Sequence, residues 1–296
     1  PGAGADRLAG ADLQAGGLMR LTLSSAAAPD ANFDELLAAC ARRGFAAVEL
    51  EAGHAHGVSP SAGLEAASAA AERAARAGIG IAALRLGDVA SVADPHTPRL
   101  AVALGAPVVV RIDAGAAAGH ASGPGSGSGA GEAAGDGEPA GLEGDVVSIV
   151  REATPLFAEV GATLLLACSG DVDEVERLRM WVEAAPAGTL GLAWDVTPGD
   201  PRLAVPAAVL EAAAGHIRHI RLHGGGPETM GQEGLGVGRL MSALALSGYT
   251  GALALAPSNP RFRYAWGAWL GRRGGWGCGS KAGSDTVVIS SRVEKR

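Results

Sequence analysis

The chain has 296 residues, 48% of them apolar and 4% aromatic, with a formal net charge of -7. That length and apolar share suffice for one large α/β domain or two small ones. The acidic balance and scarce aromatics argue against a nucleic-acid partner, which calls for a basic patch and stacking platforms.

No apolar run approaches the roughly 20 residues that span a bilayer, and the start lacks a charged region followed by an apolar core and cleavage site. A cytoplasmic protein with no membrane partner is therefore expected. Cys40, Cys168 and Cys278 are odd in number and widely spaced. They indicate neither a disulfide framework nor a CxxC metal site, and suit a reducing compartment.

Residues 1–17 are rich in Gly and Ala without a period, and are expected to form a flexible segment that carries no chemistry. From Leu18 onward, short apolar runs alternate with helical patterns. The runs are LMRLTL, AAVELE, IGIAAL, PVVVRI, ATLLLA, TLGLAW, HIRHIRL and GALALA, eight candidate strands in all. Between them, Asn32 precedes FDELLAACARR and Gly44 stops it; Asp171 precedes VDEVERLRMWVEAA and Pro186 stops it; Gly238 precedes RLMSALALS and Gly248 stops it.

Strands alternating with helices imply parallel βα units. Eight units fit a single closed (β/α)8 TIM barrel over residues 18–270, which places its site on the loops after the strands. The competing open doubly wound sheet would need a glycine-rich phosphate turn after its first strand, and 24–30 reads SSAAAPD. The Gly/Ser-rich stretch 114–144 interrupts the pattern as an insertion on the site side. The helical period fails beyond Leu270, so the last helix is incomplete and 271–296 is an irregular tail.

Chemistry in a barrel belongs to polar residues near the C-terminal ends of strands. Glu49 and Glu51 share one face of strand two, and such a pair can accept a proton or ligate a metal. Arg111 and Asp113 end strand four, and Asp195 ends an apolar strand six, where a bare carboxylate must be solvated, paired or bound to a cation. His219, Arg221 and His223 alternate along strand seven and form one polar face, opposite Ile220 and Leu222. That face looks either into the lumen or toward the helices. His54 and His56 form an HxH pair, capable of holding a metal but more commonly just exposed. Cys168 has no nucleophile context and reads as a small buried residue, while the glycines of GGGPETMGQEGLGVGRL could cradle an anion.

Several pieces, in order, resemble the sugar phosphate isomerase/epimerase family of xylose isomerase-like TIM barrels. NFDELLAACARRGFAAVELE resembles its opening helix, Gly-Phe turn and Val-Glu-Leu strand end; LGLAWDV its Leu-Asp strand; IRHIRLHGGG its His-x-Lys-Asp strand; and LGVGRLMSALALSGYTGALAL its Leu-Gly-x-Gly loop, helix and Gly-Tyr-x-Gly strand. The likeness runs from about Leu18 to Pro257.

It implies a divalent metal, Mn, Mg, Zn or Co, held by Glu, Asp, His and Glu at the ends of strands five to eight, and carboxylates that epimerise or isomerise a keto sugar. Here Ala167 and Ala256 stand where both glutamates are expected, Pro198 replaces a histidine, Gly224 an aspartate, and Arg221 takes the strand-seven histidine position. The metal site is thus degenerate, and the cofactor is a divalent metal or none.

Together these readings assign Glu49 and Asp195 as catalytic, Arg221, His223 and Arg111 as substrate-binding, and Asp195 with His219 as a weak metal pair. The expected activity is proton transfer next to the carbonyl of a small sugar, sugar phosphate-like or polyol substrate, by a monomer or a homo-oligomer. The alternative is a non-catalytic sugar- or metabolite-binding homologue without the metal glutamates. A damaged family member is a further reading, suggested by the abnormal start and tail.

Overall fold

The computed structural model describes residues 19–112, 140–197, 205–224 and 235–257. Residues 1–17, Asp113, the glycine-rich run 225–234, Pro198, Cys278, the expected eighth helix and the tail 271–296 lie outside them. So does most of the insertion; helix α4 begins at Ala140, inside the stretch 114–144.

All eight apolar runs are strands: β1 Arg20–Ser24, β2 Ala47–Glu51, β3 Gly80–Arg85, β4 Val108–Arg111, β5 Leu164–Cys168, β6 Leu190–Val196, β7 Ile217–Gly224 and β8 Ala252–Pro257. Each pairs in parallel with its chain neighbours, and β8 closes on β1 to complete the barrel. The helices are α1 Phe33–Arg43, α2 Gly63–Arg76, α3 His96–Leu104, α4 Ala140–Val160, α5 Val172–Ala184, α6 Pro206–Ala212 and α7 Leu235–Leu246.

Local chemistry sets the helix ends. At α1 the Asn32 side chain accepts from the Glu35 backbone N–H while the Glu35 carboxylate accepts from Asn32 N–H, a reciprocal capping box. Gly44 ends the helix in the left-handed region at φ 74, which costs a glycine little. Asp171 caps α5 through Glu174 N–H, as its position before the run implies. Helix α7 starts earlier than the expected Gly238, because the buried Leu240 and Leu244 and the partly buried Val237 line one face and packing outweighs glycine's poor propensity.

Two layers of apolar packing follow from the two-residue alternation. Outward residues such as Val48, Leu50, Ile220 and Leu222 join Phe33, Leu36 and Leu178 of the helices in the main core. Inward residues are mostly alanines: Ala83, Ala167 and Ala193 cluster with Val109 and Leu165, and Ala47, Ala82 and Ala252 form another group. These short side chains leave room in the C-terminal half of the lumen for long charged ones.

Two register shifts aim those charges. Between Val48 and Glu49 the partner on β3 jumps from Ile81 to Ala83, and between Leu192 and Ala193 the partner on β7 jumps from Ile217 to His219. An extra residue re-aims the side chains after it. On β3 it aligns Ala83 and Arg85 with the lumen, and on β7 His219 and Arg221.

Candidate functional site

The polar row of β7 faces the lumen, where it meets β2 from the opposite side. His219 Nε2 lies 2.6 Å from Glu49 Oε2, and both side chains are buried, at 1% and 0% exposure. An ionised carboxylate only accepts, so Nε2 carries the proton and donates. The Nδ1 atom of His219 and the Oε1 atom of Glu49 are buried without a hydrogen-bond partner among the described residues.

Arg221 bridges both carboxylates of β2. Its Nη1 lies 3.4 Å from Glu49 Oε1 and its Nη2 donates to Glu51 Oε1 at 2.5 Å. Burial would raise the Glu49 pKa, but the charge of Arg221, the hydrogen bond and charge of His219, and the charge of Arg85 outweigh it. The group is held well below the usual carboxylate range. Burial opposes the Arg221 charge, and Glu49, Glu51 and Asp195 more than offset that, so its pKa rises further.

A second pair crosses the lumen. Both terminal nitrogens of Arg85 donate to the two oxygens of Asp195, with Nη1 to Oδ1 at 3.1 Å. This two-pronged pairing is the strong geometry for guanidinium and carboxylate. Asp195 therefore neither caps a helix nor stands bare.

His223, next in the β7 row, is half-buried at the strand end. Burial first, and then the charge of Arg221, lower its pKa below that of an ordinary histidine. The imidazole is neutral near pH 7. Arg111 ends β4 as an exposed residue in register with Ala167.

The HxH pair is not exposed, contrary to the commoner behaviour of such motifs. His56 accepts from Val58 N–H at Nδ1 and donates from Nε2 to the Glu51 carbonyl at 2.8 Å, fastening the loop after β2. His54 Nε2 sits 3.2 Å from Glu51 Oε2, and its Nδ1 is 3.0 Å from Ser25 Oγ, which itself accepts from Glu51 N–H. Ser25 and His54 thus orient Glu51 toward Arg221. Cys168 is buried, and burial pushes its thiol up to about 12, which suits a packing residue.

Glu49, Asp195, His219, Arg221 and His223 are therefore brought together, with Arg111 at the rim. Sequence reasoning missed Arg85 and the Ser25–His54 support. The signal for Arg85 is a charge ending an apolar strand, one residue beyond the run IGIAAL.

The donor set does not fit a divalent metal. Of the four positions the family resemblance implies, Ala167 and Ala256 offer methyl groups and Arg221 a cation, leaving Asp195, whose oxygens are taken by Arg85. Hard cations require several oxygen ligands. No group of three or more His, Cys, Asp or Glu placed to hold a metal occurs among the described residues, nor is any described helix long and apolar enough to cross a membrane.

Solved structures share this architecture. A 3-keto-D-glucoside 4-epimerase from E. coli superposes with a TM-score of 0.57 at 15% identity, covering 85% of this chain and 98% of the epimerase. A D-psicose 3-epimerase crystallised in the presence of D-fructose gives 0.58 at 13%, covering 85% and 90%. A xylose isomerase domain protein from Planctomyces limnophilus gives 0.52 at 15%, covering 86% and 94%. The chain thus has the fold of the xylose isomerase-like sugar epimerases and isomerases. No protein-family model matches it, and no curated protein matches it in sequence.

Proposed function

We propose that the C-terminal mouth of the barrel binds a small sugar or polyol derivative and moves a proton beside its carbonyl, an isomerase or epimerase type of reaction. The observation that carries this reading is His223, a half-buried neutral imidazole in the same row as Arg221 at the end of β7. A neutral imidazole takes a proton from carbon near neutral pH, and a guanidinium next in the row stabilises the enediolate oxygen that develops. The imidazolium returns the proton on the same face to the adjacent carbon, which isomerises the substrate, while inversion at the original carbon takes its proton from water on the opposite face.

In this reading Glu49 and Asp195 position rather than react. Glu49, fully buried and held as a carboxylate, is a weak base and instead fixes His219 and Arg221; Asp195 fixes Arg85. Arg111 contacts substrate at the rim. The fold neighbours that act on sugars support a sugar-class ligand, and the catalytic assignment stands on the residues of this chain.

Incubation in D2O with a panel of ketoses, aldoses and their phosphates, followed by proton NMR, tests it. Loss of the signal at the carbon beside the carbonyl is expected, reduced about 100-fold or more in His223→Asn. A second reading, a non-catalytic sugar-binding homologue, is favoured by Ala167 and Ala256. It would show as ligand line-broadening without any exchange into solvent deuterium.

A further inference from the structure

Five charged side chains meet in the upper lumen: Glu49, Glu51, Asp195, Arg85 and Arg221. Three carboxylates crowded into one largely buried space need a cation. We propose that Arg221, with Arg85 beside it, is a built-in cation that takes the place of a divalent metal at the barrel mouth and keeps such metals out.

Three observations carry this. Glu49 and Glu51 both reach a single guanidinium, so the centre a metal would need is already filled by carbon and nitrogen. Arg221 is itself buried, and a metal entering there would have to expel a guanidinium held by both carboxylates. A guanidinium also stays charged at every workable pH, so it cannot yield its place by losing a proton. The third observation is that the flanking positions on β5 and β8 are Ala167 and Ala256, which add no donor to either pair.

Removing the Arg221 charge has a consequence that a merely structural arginine would not. It leaves Glu49 and Glu51, the two carboxylates that meet the guanidinium, facing vacated space, and carboxylate oxygens are donors that divalent ions accept. The inference concerns cation binding and does not use turnover, so its failure and the failure of the proposed reaction are separate results.

The test is titration of the metal-stripped full chain with Co2+ and Mn2+, read by visible absorption and by metal content after gel filtration. The parent is expected to retain no metal, and Arg221→Gln to bind Co2+ at least about tenfold more tightly. If Arg221→Gln fails to fold without metal, folding rescued by Co2+ carries the same meaning; if it stays unfolded with excess Co2+, a metal does not take the place of the guanidinium and the proposal is overturned. Stoichiometric metal in the parent overturns the proposal, as does a folded variant that binds Co2+ no better than the parent.

Discussion

Glu49 shows what a single residue demands of its surroundings. A carboxylate with no solvent contact persists only where charge and hydrogen bonds replace water, and His219 and Arg221 supply both. Glu49→Gln should destabilise the chain by about 3–5 kcal/mol, because it removes a buried partner of both Arg221 and His219. Glu51→Gln should cost less, since Glu51 is 24% exposed and water screens part of its interaction. Denaturant melts of both variants check the order, and equal effects would contradict it.

The pH dependence has a definite sign. The folded-state pKa of Glu49 lies below its ordinary 4.5, so the unfolded chain takes up a proton more readily. The carboxylate therefore stabilises the fold above about pH 4.5, and that contribution fades as the pH falls below it. His223 acts in the same direction, its lowered pKa favouring unfolding once the pH drops below its ordinary 6.5. Stability measured from pH 7 down to pH 3 should fall in the parent and fall less steeply in Glu49→Gln.

At the scale of elements, strands and caps were legible where the physics is local. Each of the eight strands is a short apolar run bounded by turn or polar residues, and Asn32 with Glu35 announces α1 through two hydrogen bonds three residues apart. What sequence could not supply were the non-local terms. The register shifts on β3 and β7 depend on pairing with β2 and β6, and without them neither the place of Arg85 nor the lumen choice of His219 follows from alternation alone. The start of α7 likewise depends on packing. At Gly170, φ is +88 and a Cβ would lie 2.3 Å from Trp194 Nε1. Gly170→Ala should therefore strain the turn after β5 and push Trp194, costing about 1–3 kcal/mol, read as a lower melting temperature together with a change in tryptophan fluorescence.

For the whole molecule, closure of the barrel turns distant residues into neighbours. Arg221 and Glu49 are 172 positions apart and Arg85 and Asp195 are 110 apart, yet each pair spans the lumen between strands three places apart around the ring. The ties join β7 to β2 and β3 to β6, so they brace the same mouth that the proposed substrate enters. The fold class could be read from alternation of strands and helices, while the site could be read only as a collection of candidates. Which candidates touch depends on chain closure and register.

The most direct measurement is solvent deuterium exchange into the sugar panel with excess chelator present. Exchange that persists with chelator and is lost in His223→Asn is the predicted result. Exchange that appears only when Mn2+ or Co2+ is added, or that survives in His223→Asn, would contradict a proton transfer run by the chain's own imidazole and guanidinium.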